Sequence, residues 1–394
     1  MIGILKRAAR RLVERSLVPH LDAQVAQIER VVADRVAANA PAGPPPDPIL
    51  LDFNHRLHEL RTVELRSLPV NGGTLLSAGC AGLWYFDWLE QAAGPFERHI
   101  GVELYSPQPF GLASNVEWIA ESASSMPGVP DGIVDVVFSG QNLEHLWIDD
   151  FVGFLVESHR VLRDGGTLVV DSPNRLATEA LDWVHPEHTI ELTAAEATTI
   201  FDAAGFKTRV VRGLWNCRDR STREWLPLIR EPGNVAELVD RAVGRRDIDD
   251  DFVWWIEAER TADLVDAVEL RARVTDLFDQ HWNGRVNRGA TGGESGVRSA
   301  DGSWLAPVGA SGVVYRTFGF PLFPGRFEVG THSRQSSLRI RLIRPDGTEI
   351  VSSYGTVSGE LNEVEFGVCV ELVAEQPLSE PTGPLSVVVV VNPM

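Results

Sequence analysis

The sequence predicts an α/β protein: a mostly parallel sheet flanked by helices, with an amphipathic helix before it and an all-β sandwich after it. Three observations predict this. Short apolar runs alternate with helix-length amphipathic stretches from Gly73 to Arg212; a Pro-rich stretch sets this region off from a helical N-terminus; and beyond Trp282 a Gly/Ser-rich stretch opens into runs of period-two alternation. Strands that alternate with helices are joined by crossovers, which makes them parallel and puts helices on the sheet faces. Period-two runs between turn residues instead mark antiparallel strands with one buried face.

Taken in order, the first forty residues carry Leu12, Leu17, Leu21, Val25, Ile28 and Val32 at helical spacing. The first fifteen hold Lys6, Arg7, Arg10, Arg11 and Arg15 against Glu14 alone. Such a basic end suits peripheral contact with an anionic membrane surface; packing on its own domain or on a second copy, as in a homo-oligomer, is the plainer expectation. Pro41 to Pro48 cannot continue a helix, so residues 1–48 form a helix and an extended linker. In the next unit, 49–232, strands are expected at 74–78, 99–103, 116–119, 133–139, 166–171 and 207–212, and helices at 82–93, 149–162 and 193–204. Thr193 followed by Glu196 makes a capping box at the last of these. Residues 233–284 read as helical, including 251–260, with Asp247, Asp249, Asp250 and Asp251 capping a helix that starts near Phe252. Residues 285–394 read as the β-sandwich, with strands near 326–330, 337–343, 363–372 and 385–391 and a turn at Pro345-Asp-Gly347.

Composition narrows the function. The 394 residues are 44% hydrophobic and 23% charged, enough for more than one sizeable core. A formal charge of -19 sets the net field against phosphate backbones and argues against nucleic acid as a partner. Cys80, Cys217 and Cys369 stand far apart, which fits neither a thiolate zinc site nor a disulfide framework. With no apolar run of the ~18 residues a spanning helix needs, the expected location is the cytoplasm.

Chemistry begins at Thr74-Leu-Leu-Ser-Ala-Gly-Cys-Ala-Gly82, where a strand runs into a turn of small residues and then a helix. Such a turn lets a ligand approach the backbone. About twenty residues later a second strand ends at Glu103, a carboxylate placed to hold the two hydroxyls of a ribose. Farther on come Asp135-Val-Val, Leu143-Glu-His145, Glu157-Ser-His-Arg-Val-Leu-Arg-Asp-Gly-Gly166 and Ala204-Gly-Phe206, in that order.

Over about residues 70–215 this series resembles a class I S-adenosylmethionine-dependent methyltransferase. The resemblance implies a Rossmann-like sheet of seven strands with the last antiparallel, and S-adenosyl-L-methionine as cofactor across the carboxyl edge of the first, second and fourth strands. It also implies that Ser77, Gly79 and Ala81 line the methionine end, that Glu103 takes the ribose, and that Glu121, Ser122 and Ala123 approach the adenine. The chain departs from the family where an acid and three glycines are usual: Ser77, Gly79, Ala81 and Leu83 stand there. A non-catalytic glycan-binding or scaffold protein on a degenerate methyltransferase fold is therefore the rival expectation.

A hydroxyl acceptor needs a base, and imidazole has the pKa for it. His188 is the first candidate and His145 the second; His185 shares the same stretch, Asp182-Trp-Val-His-Pro-Glu-His-Thr189. No metal is assigned, although His185, Glu187 and His188 or the acidic run at 247–251 offer ligand types. Eleven tryptophans, among them Trp183, Trp215, Trp225, Trp254, Trp255, Trp282 and Trp304 expected outside the sheet, suit stacking on sugar rings. The expected activity is thus O-methyl transfer to a small-molecule or glycan acceptor, a sugar or polysaccharide being preferred.

Overall fold

The structure, a computed structural model, describes residues 48–68, 72–80, 82–219, 221–228, 241–242, 247–261, 265–331 and 337–392. The expected N-terminal helix, most of the Pro-rich linker, Ala81 and nearly all of 229–246 lie outside them. The chain divides into two compact units, 1–61 and 62–394. Of the first, the described part is the start of α1 (Pro48–Leu65).

The second unit opens with a seven-stranded sheet: β1 (Thr74–Ala78), β2 (Arg98–Val102), β3 (Val116–Ile119), β4 (Val134–Gly140), β5 (Leu162–Pro173), β6 (Phe206–Asn216) and β7 (Asp251–Arg260). Their order across the sheet is β3-β2-β1-β4-β5-β7-β6. The first five in this order are parallel, while β7 runs antiparallel to both β5 and β6. This is the architecture that the methyltransferase resemblance implies. Helices α2 (Leu83–Ala93), α3 (Ile148–Val161), α4 (Arg175–Ala180) and α5 (Ala194–Ala203) connect the strands. The capping box at α5 is present: Thr193 Oγ1 accepts from the Glu196 amide at 3.2 Å, and the Glu196 carboxylate accepts from the Thr193 amide at 2.8 Å.

Residues 251–260, expected to be helical, form β7 instead. Consecutive side chains of a strand point to opposite faces, and Trp254 and Trp255 are both fully buried. Trp255 meets Phe138 on one face at 5.8 Å between ring centroids; Trp254 meets Phe201 on the other at 6.4 Å and donates its indole N–H to the Leu192 carbonyl. A strand covered on both faces shows a continuous apolar run, not alternation, and so resembles a buried helix in sequence. The preceding aspartates cap no α-helix. Residues Ile248–Asp250 make a single 3-10 turn, and Asp250 is held by Arg218 at 2.9 Å and Arg223 at 2.6 Å.

After β7 comes α6 (Ala267–Asn287), N-capped by Asp266. The sequence boundary at 284/285 falls inside this helix. The β-region has a five-stranded sheet containing β10 (Gly312–Arg316), β11 (Phe320–Leu322), β13 (Arg339–Ile343), β14 (Glu349–Tyr354) and β16 (Glu365–Ala374), and a three-stranded sheet of β12 (Gly325–Thr331), β15 (Val357–Leu361) and β17 (Val387–Asn392). A short pair, β8 (Val297–Arg298) and β9 (Trp304–Leu305), precedes them. Phe327 and Val329 from one sheet and Ile340, Leu342, Val370 and Leu372 from the other are buried in one apolar core, which makes a sandwich. The turn at Pro345-Asp-Gly347 joins β13 to β14, with the Gly347 amide donating to Arg344 O at 2.9 Å.

Helix α6 ties the sandwich to the sheet. Asn283 and Asn287, one turn apart on the same face, accept the Val389 and Val387 amides of β17 at 2.8 and 2.9 Å. Trp147, just before α3, stacks on Phe323 at 4.6 Å and meets Trp282 edge-on at 5.1 Å.

Candidate active site

Parallel strands deliver their carboxyl ends to one edge of the sheet, and the site residues gather there. At the end of β1, Gly79 has a φ of +74°, and an added Cβ would stand 2.8 Å from the Asn142 amide group. Only glycine allows both the left-handed turn and this close approach. The Gly79 amide donates to Val102 O at 3.0 Å, which sets it beside Glu103, the first residue beyond β2. The Glu103 Oε1 accepts the Tyr105 and Ser106 amides at 2.9 and 3.0 Å, so the carboxylate is fixed while Oε2 has no partner among the described residues. Gly82 precedes helix α2 without a side-chain cap, and its carbonyl accepts the Tyr85 amide at 3.0 Å.

The other expected cofactor residues divide. Ser77 does not offer its side chain to the crevice: it is fully buried, and its hydroxyl is 2.5 Å from His99 Nε2 in the neighbouring strand. Position 77 alternates inward within β1, so only its backbone can serve the edge. Burial pushes the His99 imidazole down to about 3 and keeps it neutral. Glu121 lies two residues past β3, where its Oε2 accepts the Gly128 amide at 3.1 Å. Ser122 bonds to Ser124, and Ser124 donates to Asp150 at 2.6 Å; Ala123 packs half-buried on the core. Ala81 lies outside the described residues.

Beyond β4 the short turn Leu143–His145 carries Glu144 and His145. The loop after α4 is docked on that turn through Thr189, whose hydroxyl donates to Glu144 O at 3.0 Å and to Leu146 O at 2.6 Å. This docking brings His188 to His145, with ring centroids 4.8 Å apart and the planes perpendicular. His185 stacks on His188 at 4.5 Å, and the half-buried Trp183 lies beside both. His188 is buried, and its Nδ1 is 2.9 Å from Glu191 Oε1. Desolvation outweighs the attraction of Glu191 and holds the His188 pKa at about 3. His145 is half-buried, with Nδ1 3.2 Å from the Glu187 carbonyl; burial and then the neighbouring His185 lower its pKa.

Two carboxylates that sequence reasoning did not single out complete the cluster. Glu191 is buried and accepts from Thr178 at 2.6 Å, Arg285 at 2.8 Å and Arg288 at 2.9 Å besides meeting His188. Burial opposes its charge, but Arg285, His188 and Arg288 prevail and hold it at about 2. Glu144 is 1% exposed, and neither of its oxygens has a hydrogen-bond partner. Desolvation pushes it up to about 8, against weaker opposing pulls from its own backbone N–H and then from the Ser172 hydroxyl. The Glu144 signal was its place next to His145; Glu191 and the distant Arg285 gave none.

Other expectations fare differently. The ligand set His185, Glu187 and His188 does not converge, because Glu187 is exposed and offers its carbonyl to His145. Trp254, Trp255, Trp215 and Trp282 are core residues, Trp225 sits under Arg218, and Trp304 donates to Ala290 O. Trp183 alone of those seven stands at the histidine cluster. A cleft of about 780 Å³ between α5 and β6, lined by Thr198, Arg212, Gly213 and Asp249 among others, shares no residue with this edge.

Residues 76–170 match the family described as a methyltransferase domain. A protein of Mycolicibacterium smegmatis named a probable S-adenosylmethionine-dependent methyltransferase is 36% identical over 139 residues, 34% of this chain and 52% of that protein. One of the same description from Mycobacterium tuberculosis is 40% identical over 103 residues, 26% of this chain and 36% of that protein. The chain thus spans about half the length, or less, of the curated relatives it matches. Among solved structures, an S-adenosylmethionine-dependent methyltransferase from Archaeoglobus fulgidus aligns at 18% identity over 54% of this chain and all of that one, with a TM-score of 0.38. Strand order, the motif series and the family match agree in likening residues 76–170 to a methyltransferase domain.

Proposed function

We propose that this chain is an S-adenosylmethionine-dependent O-methyltransferase acting on a hydroxyl of a sugar or polysaccharide. The observation that carries the reading is the shared edge: the Gly79 turn and the Glu103 carboxylate stand at one end of it, and the Glu144, His145 and His188 cluster follows the next strand. The cofactor fits these residues, since Gly79 leaves room where a Cβ would press on Asn142 and Glu103 keeps one oxygen free. Glu103 would hold the ribose hydroxyls, and the backbone at Gly79 would face the methionine end. Adenosylmethionine supplies a methyl on positively charged sulfur: the acceptor oxygen gains the C–O bond, the S–C electron pair stays on sulfur, and the acceptor proton has to be taken away.

Aligning the acceptor provides much of the rate; removing the proton falls to the cluster, whose most accessible member is His145. Trp183, half-buried beside the imidazoles, offers a flat apolar face to a sugar ring. Among the described residues no helix is long and apolar enough to cross a membrane. The three cysteines are free thiols, which supports a cytoplasmic location.

Calorimetric titration of the full chain with adenosylhomocysteine tests the reading. Binding is expected, and Glu103→Ala should weaken it by ~1–3 kcal/mol through the lost ribose hydrogen bonds. No binding at millimolar ligand would reject the enzyme and favour the glycan-binding scaffold.

A further inference from the structure

We infer that Glu144, His145 and His188 together bind one divalent metal ion, zinc by preference, and that this site takes the acceptor hydroxyl. The inference rests on the proposed methyl transfer to a hydroxyl and narrows it, because the two imidazoles become ligands and neither acts as a free base.

One ligand atom from each of the three side chains lies within 4.8 Å of the other two, and His188 Nε2 is 4.0 Å from Glu144 Oε1. Atoms around a tetrahedral zinc at ~2.0–2.1 Å stand roughly 3.3 Å apart. Closing the difference takes shifts of about an ångström, within the reach of side-chain rotation. Glu144 gives the strongest reason to expect a cation. It is a carboxyl group with both oxygens buried and unpartnered, a state that native interiors rarely leave unexplained. The neighbouring arginine does not supply the partner: Arg285 directs its N–H groups to the carbonyls of His185 and His188 and to Glu191.

The surroundings orient both imidazoles as ligands. A carbonyl oxygen can only accept, so the contact from Glu187 O places the proton of neutral His145 on Nδ1 and leaves the Nε2 lone pair free. The Glu191 carboxylate does the same for His188. Metal-binding histidines are held in this way, with the remote nitrogen donating to a carboxylate or a carbonyl. Glu191 is itself fixed by Thr178, Arg285 and Arg288. Two imidazoles with one carboxylate suit zinc better than magnesium or calcium, which take oxygen ligands. Three protein ligands leave a coordination position open, and His145 is the only one of the three that reaches the surface, so an acceptor enters from its side. A hydroxyl bound there is acidified by the cation and can release its proton to water.

The test uses the full chain, stripped with chelator and dialysed, then titrated with zinc chloride alone and, separately, with cobalt chloride while visible absorption is followed. One ion per chain is expected, with cobalt bands of low-coordinate geometry. Glu144→Gln and His145→Ala should each weaken binding at least 100-fold, and Glu191→Gln about 10–100-fold. Adenosylhomocysteine titration of each variant serves as the folding control, so a variant that still binds it but loses zinc supports the site. Absence of stoichiometric binding, or binding that the variants leave unchanged, overturns it. The two readings separate: adenosylhomocysteine binding without metal binding removes the metal site and keeps the methyltransferase, while metal binding without adenosylhomocysteine does the reverse.

Discussion

Replacing Arg285 by Met probes the way the histidine loop is held. The guanidinium donates through Nε to His188 O at 2.8 Å, through Nη1 to Glu191 Oε1 at 2.8 Å, and through Nη2 to the His185 carbonyl. Removing one partner of a buried ion pair costs about 3–5 kcal/mol, since the other charge stays buried. Here Glu191 keeps Arg288 and Thr178 on its second oxygen, so the expected loss lies near the lower bound, at ~3 kcal/mol. Urea denaturation, followed through the first unfolding transition, measures it. Glu191→Gln and the double variant should show a coupling energy of ~1–3 kcal/mol, as contacting residues do. Affinity for adenosylhomocysteine should change less than about twofold, because Arg285 bonds to none of the Gly79 and Glu103 groups. A stability loss below about 1 kcal/mol, or additivity within about 0.3 kcal/mol, would refute the claim that this ion pair holds the loop.

Three further outcomes follow. Gly79→Ala meets both a left-handed φ, costing ~1–2 kcal/mol, and the Asn142 side chain; adenosylhomocysteine binding in a calorimeter should weaken at least tenfold, and unchanged affinity would take the turn out of the site. Gly213→Ala would drive a Cβ into the Asp251 carboxylate, so thermal unfolding should show a loss of ~1–3 kcal/mol from overpacking; an unchanged melt would contradict the pairing of β6 with β7. His99 has its pKa lowered from 6.5 to about 3 by burial. The unfolded chain therefore binds more protons between these values, and stability falls as pH drops through 6.5 toward 3. From pH 7.5 to pH 5 His99 should contribute ~2 kcal/mol of loss, and His99→Gln should flatten the stability profile by that amount; parallel profiles would disprove it.

Much of the fold was legible because its signals are local. Strands β1 and β3 have the bounds the apolar runs indicate, and the Thr193 capping box is a four-residue signal. Strand β7 was not legible. Its apolar run is set by neighbours on both faces, Phe138 and Phe201, which the local pattern does not reveal. Ser77 shows a similar limit: motif position suggested a crevice residue, whereas the phase of β1 turns its hydroxyl to His99. In the site, His145 and His188 stood out as imidazoles in loops that follow strands. Their meeting depends on Thr189 docking one loop on the other, and the Arg285 that holds the loop comes from 97 residues downstream of His188. Pairings of that span leave no periodic trace in the chain.

Helix α6 faces two ways: Asn283 and Asn287 grip the sandwich, and Arg285, between them in sequence, grips the histidine loop. The appended domain is therefore not a passenger on a flexible tether. A chimera that exchanges sandwiches between related enzymes would need its seam before Asp266, so that the whole helix travels with the graft. A cut at residue 284 would split the helix between the two chains, parting Asn283 from Arg285 and Asn287.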